Sequence, residues 1–239
     1  MKRNSAFFKG IKDGVPIGLG YISVAFAFGL FAVSSGLSVT EAVLISATNV
    51  TSAGQLAAVP ILASHGGFFE LALVQLVINL RYALMSISLS QKCDGSVRLR
   101  DRFVISFVNT DEVFAVASSN DGRVGRSYLY GLIIMPVLGW VSGTLIGAVS
   151  GDILPAIVSS ALGIAIYAML TAIVVPKVKS DGALAVCVAL SIGLSCLFFF
   201  VPGLNKVPSG FSIIICAVLA SAIFAIIRPI DDEEVEEDV

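Results

Sequence analysis

The sequence predicts an all-α polytopic membrane protein, and three observations lead there. Hydrophobic residues make up 56% of the 239 positions and charged ones only 13%. Mean hydropathy is +0.94. The apolar residues fall into eight long runs, at about 15–36, 40–62, 68–89, 103–118, 128–150, 155–176, 183–202 and 209–228. The net charge of −2 is misleading, because the acidic residues concentrate in the C-terminal "DDEEVEEDV" and the remaining body is basic.

Taken in order, residues 1–14 form a basic N-terminus with Lys2, Arg3, Lys9 and Lys12. No small-residue cleavage site follows a short apolar core, so the first segment reads as an uncleaved span. Gly14 and Gly18 within it form a small-x-x-x-small pair suited to close helix contact. The centre of the second segment is the polar cluster "TNVTSAGQ", Thr48 to Gln55, around Gly54. Irregular backbone at membrane depth is tolerated only where it is buried in protein or lines a cavity. The third segment places Gln75, Asn79 and Tyr82 on one helix face, with Arg81 pointing elsewhere. The fourth, residues 103–118, would span only about 24 Å as a helix against about 30 Å of hydrocarbon. The fifth carries Gly139, Gly143, Gly147 and Gly151 on one face, a ridge for another helix of this chain or of a partner. The transmembrane domain is thus expected over 15–228, with an acidic, solvated cytoplasmic tail at 229–239.

Charge decides how the segments cross. If all eight spanned from a cytoplasmic N-terminus, the loop with Lys92, Arg98, Arg100 and Arg102 would lie outside, against the positive-inside rule. If the second and fourth segments instead enter and leave on one side, all of the 15 Lys and Arg except Lys206 and the intramembrane Arg81 face the cytoplasm, as does the C-terminus. The expectation is therefore six full spans plus two broken or re-entrant segments; the rival is eight spans with a partner subunit overriding the charge rule.

Arg81 needs an explanation, since a guanidinium at the centre of a span costs at least about 2.5–3.5 kcal/mol and cannot neutralise itself. The acids within reach are Asp111, Glu112 and, at the entry of the third segment, Glu70. Either Arg81 forms a structural ion pair, or it holds a substrate carboxylate while Asp111 or Glu112 carries a coupling proton or receives an ammonium group. Broken segments favour the second reading, because half-helix ends present free N–H and C=O groups to ions. Thr51, Ser52, Ala53, Gly54 and Gln55 are the residues that would supply such a site.

Other chemistry has little support. The cysteines, Cys93, Cys187, Cys196 and Cys216, form no C-x-x-C pair, and with His65 as the single histidine no zinc spacing arises. No phosphate-binding G-x-x-x-x-G-K-[ST] occurs, and the basic residues are not interleaved with aromatics as nucleic-acid binding requires. No cofactor is expected. Asp111 and Glu112 are adjacent and diverge by about 100° on a helix, which argues against an intramembrane hydrolase dyad. The remaining alternative is a channel-like or non-transporting membrane subunit.

Four stretches carry a family resemblance: "FFKGIKDGVPIGLGY", "GLSVTEAVLISATNVTSAGQL", "VINLRYALMSISL" and "NTDEVFAVAS", in that order over residues 7–118. The chain resembles the AzlC family of branched-chain amino acid permeases. It departs from the family pattern at "NVTSAGQ" and at Ile164, Ala165 and Ile166, where members often carry Asp-Phe-Ala. The resemblance implies an inner-membrane exporter of leucine, isoleucine, valine and sometimes methionine. It also implies a small membrane partner subunit of the AzlD type. On the matching positions, Thr51, Ser52, Gly54, Gln55, Asn79, Arg81, Asp111 and Glu112 become the residues of interest for substrate binding or coupling, with a proton as the expected coupling ion.

Overall fold

A computed structural model describes residues 2–151, 171, 174–175, 178–179 and 182–227. The sixth apolar segment lies almost wholly outside the described residues, as do the acidic tail and positions 164–166. The described elements are α1 (Lys2–Ser34), α2 (Val39–Thr48), α3 (Ala53–Ala63), α4 (Phe68–Lys92), α5 (Leu99–Phe107), α6 (Asp111–Ser118), α7 (Arg126–Gly151), α8 (Gly182–Phe200) and α9 (Ser209–Ile227), with a 3₁₀ turn at Leu204–Lys206. Among the described residues, β pairing is confined to one bridge between Cys93 and Val124. Among the described residues, five helices are long and apolar enough to cross a membrane: Ser5–Ser34 of α1, α4, α7, α8 and Ser209–Ile226 of α9.

The second and fourth apolar segments are each broken into two short helices. Ser38 starts α2 with a capping box: its side chain accepts from Glu41 N at 3.2 Å, and Glu41 Oε2 accepts from Ser38 N at 2.7 Å. The helix stops at Asn49, whose backbone is extended, and Ser52 then takes φ 34°, a left-handed value rare for a residue with a side chain. The fourth segment breaks at Val108–Thr110. Thr110 caps α6 by accepting from Val113 N at 3.4 Å, and Asp111 and Glu112 occupy the first turn, where the helix dipole favours anions.

The chain divides into two compact units, one comprising residues up to His65 and from Ile78 through α7, the other comprising Gly66–Val77 with α8 and α9. In the first, α1 and α7 pack in parallel. Gly10, Gly14, Gly18 and Gly29 lie against the backbone oxygens of Tyr128, Leu132, Met135 and Thr144, while Gly131, Gly139, Gly143 and Gly147 lie against those of Phe7, Gly18, Ile22 and Phe26. A Cβ at any of these eight glycines would come within 2.0–2.6 Å of a backbone oxygen, so only glycine permits this approach. The predicted ridge therefore meets α1 of the same chain. Gly151 is looser, with its nearest neighbour, Val33 Cγ1, at 3.6 Å from an added Cβ.

Against this pair, α5 and α6 form a hairpin whose two ends lie at the N-terminal end of α7. On entry, Asp101 accepts from Tyr130 Oη at 3.0 Å and pairs with Arg126 Nε at 2.9 Å. On return, Asn120 Nδ2 donates to Tyr128 Oη at 2.7 Å, and Lys9 donates to Asn120 Oδ1 at 2.7 Å. The end of α4 sits at the same level, because Val124 N donates to Lys92 O and Asp94 N to Val124 O, both at 2.9 Å. The α2–α3 hairpin enters from the opposite end. Leu37 and Ala42 on the way in, and Val59 and Leu62 on the way out, pack on Phe28 and Ala32 of α1 and Ala148 of α7.

In the second unit α8 and α9 pack together, joined through the 3₁₀ turn. Glu70 Oε1 accepts from Gly210 N at 2.8 Å and so caps the start of α9.

Candidate functional site

The two hairpin tips meet the second half of α4 around a cavity of about 200 Å³. Thr48, Asn49, Val50 and Thr51 line it from one tip, Ser106, Phe107, Asn109 and Thr110 from the other, and Asn79 and Tyr82 from α4. No lining side chain is charged. At this size the cavity suits a small molecule, being below the ~300–1,000 Å³ of drug-sized ligand pockets. Two helix C-termini reach it, since α2 ends at Thr48 and α5 at Phe107.

The intramembrane arginine sits beside the cavity. Arg81 Nη1 is 2.9 Å from Asp111 Oδ2, and both side chains are half exposed. Its Nη2 donates to Tyr82 Oη at 3.0 Å, and the guanidinium carbon lies 4.8 Å from the Tyr82 ring centre. On a helical wheel these neighbours diverge; the long guanidino stem folds back and closes the gap. Of the three acids within reach, Asp111 is the one that pairs with Arg81, while Glu70 caps α9 and Glu112 turns to α1.

Glu112 Oε2 accepts from Tyr21 Oη at 2.5 Å, and the same phenol oxygen is 2.6 Å from the Thr110 hydroxyl. Tyr21 meets Trp140 edge-on, with ring centres 5.0 Å apart. From there a buried polar chain crosses the core. Trp140 Nε1 donates to Gln55 Oε1 at 3.0 Å, Gln55 Nε2 donates to Ser46 Oγ at 2.9 Å, and the Ser46 and Thr144 hydroxyls are 2.6 Å apart. Gln55, Ser46 and Thr144 are fully buried, and a half-satisfied network at that depth would be costly.

The predicted residues thus divide by place. Thr51 and Asn79 line the cavity, with Thr51 Oγ1 donating to Asn49 Oδ1 at 2.6 Å. Arg81 and Asp111 form the adjacent ion pair, and Glu112 is held by Tyr21. Ser52 shapes the turn through its positive φ. Gly54 and Gln55 are buried behind the tip, and the Gln55 carboxamide is engaged at both ends by core partners. Sequence reasoning passed over Tyr21, Ser46, Asn109, Trp140 and Thr144. A phenol and an indole inside apolar helices were the available signal, since each needs a hydrogen-bond partner when buried.

At the basic end of the unit, outside the apolar segments, the N–H of Arg98 holds the Asp101 carboxyl below its ordinary 3.8, with Tyr130 and Arg126 acting in the same direction. Among the described residues, no group of three or more His, Cys, Asp or Glu is placed to hold a metal ion.

Comparison with known proteins identifies the family. The family model described as "AzlC protein" matches residues 16–154, from α1 through α7. The chain is 32% identical over 195 residues to "Inner membrane protein YgaZ" of Escherichia coli K12, covering 78% of this chain and 79% of that protein. It is 31% identical over 227 residues to an "Uncharacterized membrane protein" of Archaeoglobus fulgidus, covering 94% and 96%. No solved structure matches. With five of the described helices fit to cross a bilayer and membrane proteins as relatives, the chain is a multi-pass membrane protein that belongs to the AzlC family.

Proposed function

We propose that the protein is a secondary transporter that exports branched-chain or similar apolar amino acids across the cytoplasmic membrane, acting with a small AzlD-type membrane subunit. The observation that carries this reading is the cavity at the meeting point of two opposed hairpin tips, with the Arg81–Asp111 pair beside it. Broken segments that bring half-helix ends to a midplane cavity are the architecture by which secondary transporters hold small charged substrates.

In this reading α1, α4, α7, α8 and α9 span, while α2–α3 and α5–α6 are re-entrant hairpins from opposite faces. The α4–α5 loop and the α6–α7 loop lie at one end with Lys9 and Lys12, which supports a cytoplasmic location for both and for the N-terminus. Alternating access would proceed by rocking the hairpins and α4 against the glycine-welded α1–α7 pair. Asp111 exchanges Arg81 for a proton or for substrate, and Glu112 is the second group able to carry the coupling proton. Asp111 and Glu112 turn to different partners, so the proposal gives them separate roles.

The test is efflux of preloaded labelled valine, leucine and methionine from cells lacking their own exporters, with the chain expressed alone and with its small subunit. Efflux that depends on the intact pair of subunits supports the proposal. A well-expressed pair that releases none of the three refutes it.

A further inference from the structure

Asp111 and Glu112 share the first turn of α6, yet their partners differ in kind. Asp111 Oδ2 meets Arg81 Nη1 at 2.9 Å. A guanidinium only donates and keeps its charge, so this contact is complete only while Asp111 is ionised. Glu112 Oε2 meets Tyr21 Oη at 2.5 Å instead, and the same phenol oxygen lies 2.6 Å from Thr110 Oγ1. Both of these partners are hydroxyls, which donate and accept.

A phenol has a single hydrogen, so Tyr21 cannot donate to both neighbours at once. With Glu112 ionised, Thr110 donates to Tyr21 and Tyr21 donates to Glu112. With Glu112 protonated, the carboxyl donates to Tyr21 and Tyr21 donates to Thr110, which frees the Thr110 hydrogen for another acceptor. The heavy atoms keep their places in both states, and only hydroxyl hydrogens turn. Tyr21 holds one hydrogen throughout, and the added proton stays on Glu112.

The frame around the carboxyl is fixed by the core. Tyr21 is 7% exposed and meets Trp140 edge-on, and Trp140 in turn is tied to Gln55. Thr110 is buried as the cap of α6. Glu112 itself is exposed, so a proton can reach the carboxyl that the buried phenol holds. Besides Tyr21, the ionisable groups around it are Asp111 on its own helix and Tyr82 with its bonded Arg81 on α4. Tyr128 of α7 sits at the far end of α6, engaged by Asn120 and Asp13. The charges of α5, Arg100, Asp101 and Arg102, lie in its first turns, away from the hairpin tip.

We propose that Glu112 carries the coupling proton, that Tyr21 and Thr110 are the positioning residues that hold it in either protonation state, and that Asp111 is left to Arg81 and the substrate. The proposal rests on the secondary-transporter reading and divides the two acids within it.

The complex with its small subunit, in lipid, is titrated with acid while infrared difference spectra follow the carbonyl stretch of protonated carboxyls. The same preparations in vesicles are assayed for valine uptake with and without an imposed proton gradient. One carboxyl band of the wild type is expected to be lost in Glu112→Gln and kept in Arg81→Gln/Asp111→Asn. Tyr21→Phe and Thr110→Val move the frequency of that band, whereas Thr110→Ser, which keeps the hydroxyl, leaves it in place. Wild-type uptake responds to the proton gradient, and uptake by Glu112→Gln does not. Folding is checked by the melting transition, and Thr110→Val supplies the readout if Tyr21→Phe is lost. The proposal is overturned if Glu112→Gln loses no band, if neither hydroxyl deletion moves it, or if uptake by Glu112→Gln still responds to the gradient. The expected spectra in a complex that moves no valine keep the proton site and remove the amino-acid reading.

Discussion

Neutralising Asp111 leaves the Arg81 guanidinium without its counter-charge beside the cavity, where an unmatched Arg in a span costs at least about 2.5–3.5 kcal/mol. Asp111→Asn is therefore expected to cut efflux at least about tenfold and to lower membrane abundance. The double variant Arg81→Gln/Asp111→Asn should recover abundance without recovering efflux, as immunoblots and labelled-valine release would show. Recovery of both would make the pair structural only. This pair was legible in the sequence, because Arg81, Asp111 and Glu112 are ionisable groups inside apolar runs and demand partners. The choice between Asp111 and Glu112 was not, since it depends on Tyr21, 91 residues away from Glu112 in the chain, capturing the glutamate. Gln55 shows the same limit. Its polarity marked it as a site residue, but Trp140 and Ser46 occupy both ends of its carboxamide, and no local pattern reveals such long-range pairs.

At the scale of the elements, the α1–α7 contact is set by backbone proximity. A Cβ on Gly147 would lie 2.0 Å from Phe26 O, a clash that neither helix can relieve without separating. Gly147→Leu should destabilise by at least the ~1–3 kcal/mol typical of over-packing and sharply reduce folded protein. Gly20→Leu, where an added Cβ meets nothing within 4 Å, should leave abundance and melting temperature nearly unchanged. The α5 entry is secured by Asp101, which pairs with Arg126 and accepts from Arg98 N and Tyr130. Because its folded-state carboxyl lies below the ordinary 3.8, the folded chain binds that proton less readily than the unfolded one. Its stabilisation is complete at neutral pH and is lost as pH falls below about 3.8. Melting temperature in detergent should accordingly fall below pH 4 less steeply in Asp101→Asn than in wild type. Both breaks were legible at this scale, one from hydroxyls and amides around Gly54 and the other from the short fourth segment. The start of α5 at Leu99, before the apolar run begins, was hidden by the charges that tie it to α7.

For the whole molecule, the account makes a topological claim: each hairpin begins and ends on one side of the membrane, and the two enter from opposite sides. In a cysteine-free background, Ser34→Cys and Ser64→Cys flank the α2–α3 hairpin, and Gly95→Cys and Ser119→Cys flank the α5–α6 hairpin. An impermeant thiol reagent should label the first two in intact cells and the last two only after permeabilisation. Opposite accessibility across either hairpin would mean that the segment crosses. The charge pattern in the sequence points to this arrangement, but the meeting of the two tips at one cavity was not legible there, because "TSAGQ" and "NTDE" share no pattern. The measurement that tests the central claim most directly is the alkylation rate of Thr51→Cys, on the cavity wall, in the transporting complex with and without valine. The account predicts that valine slows alkylation at this position and leaves that of Ser119→Cys unchanged. Equal rates at Thr51→Cys with and without valine, in a complex that still exports it, would contradict the assignment of this cavity to the transport pathway.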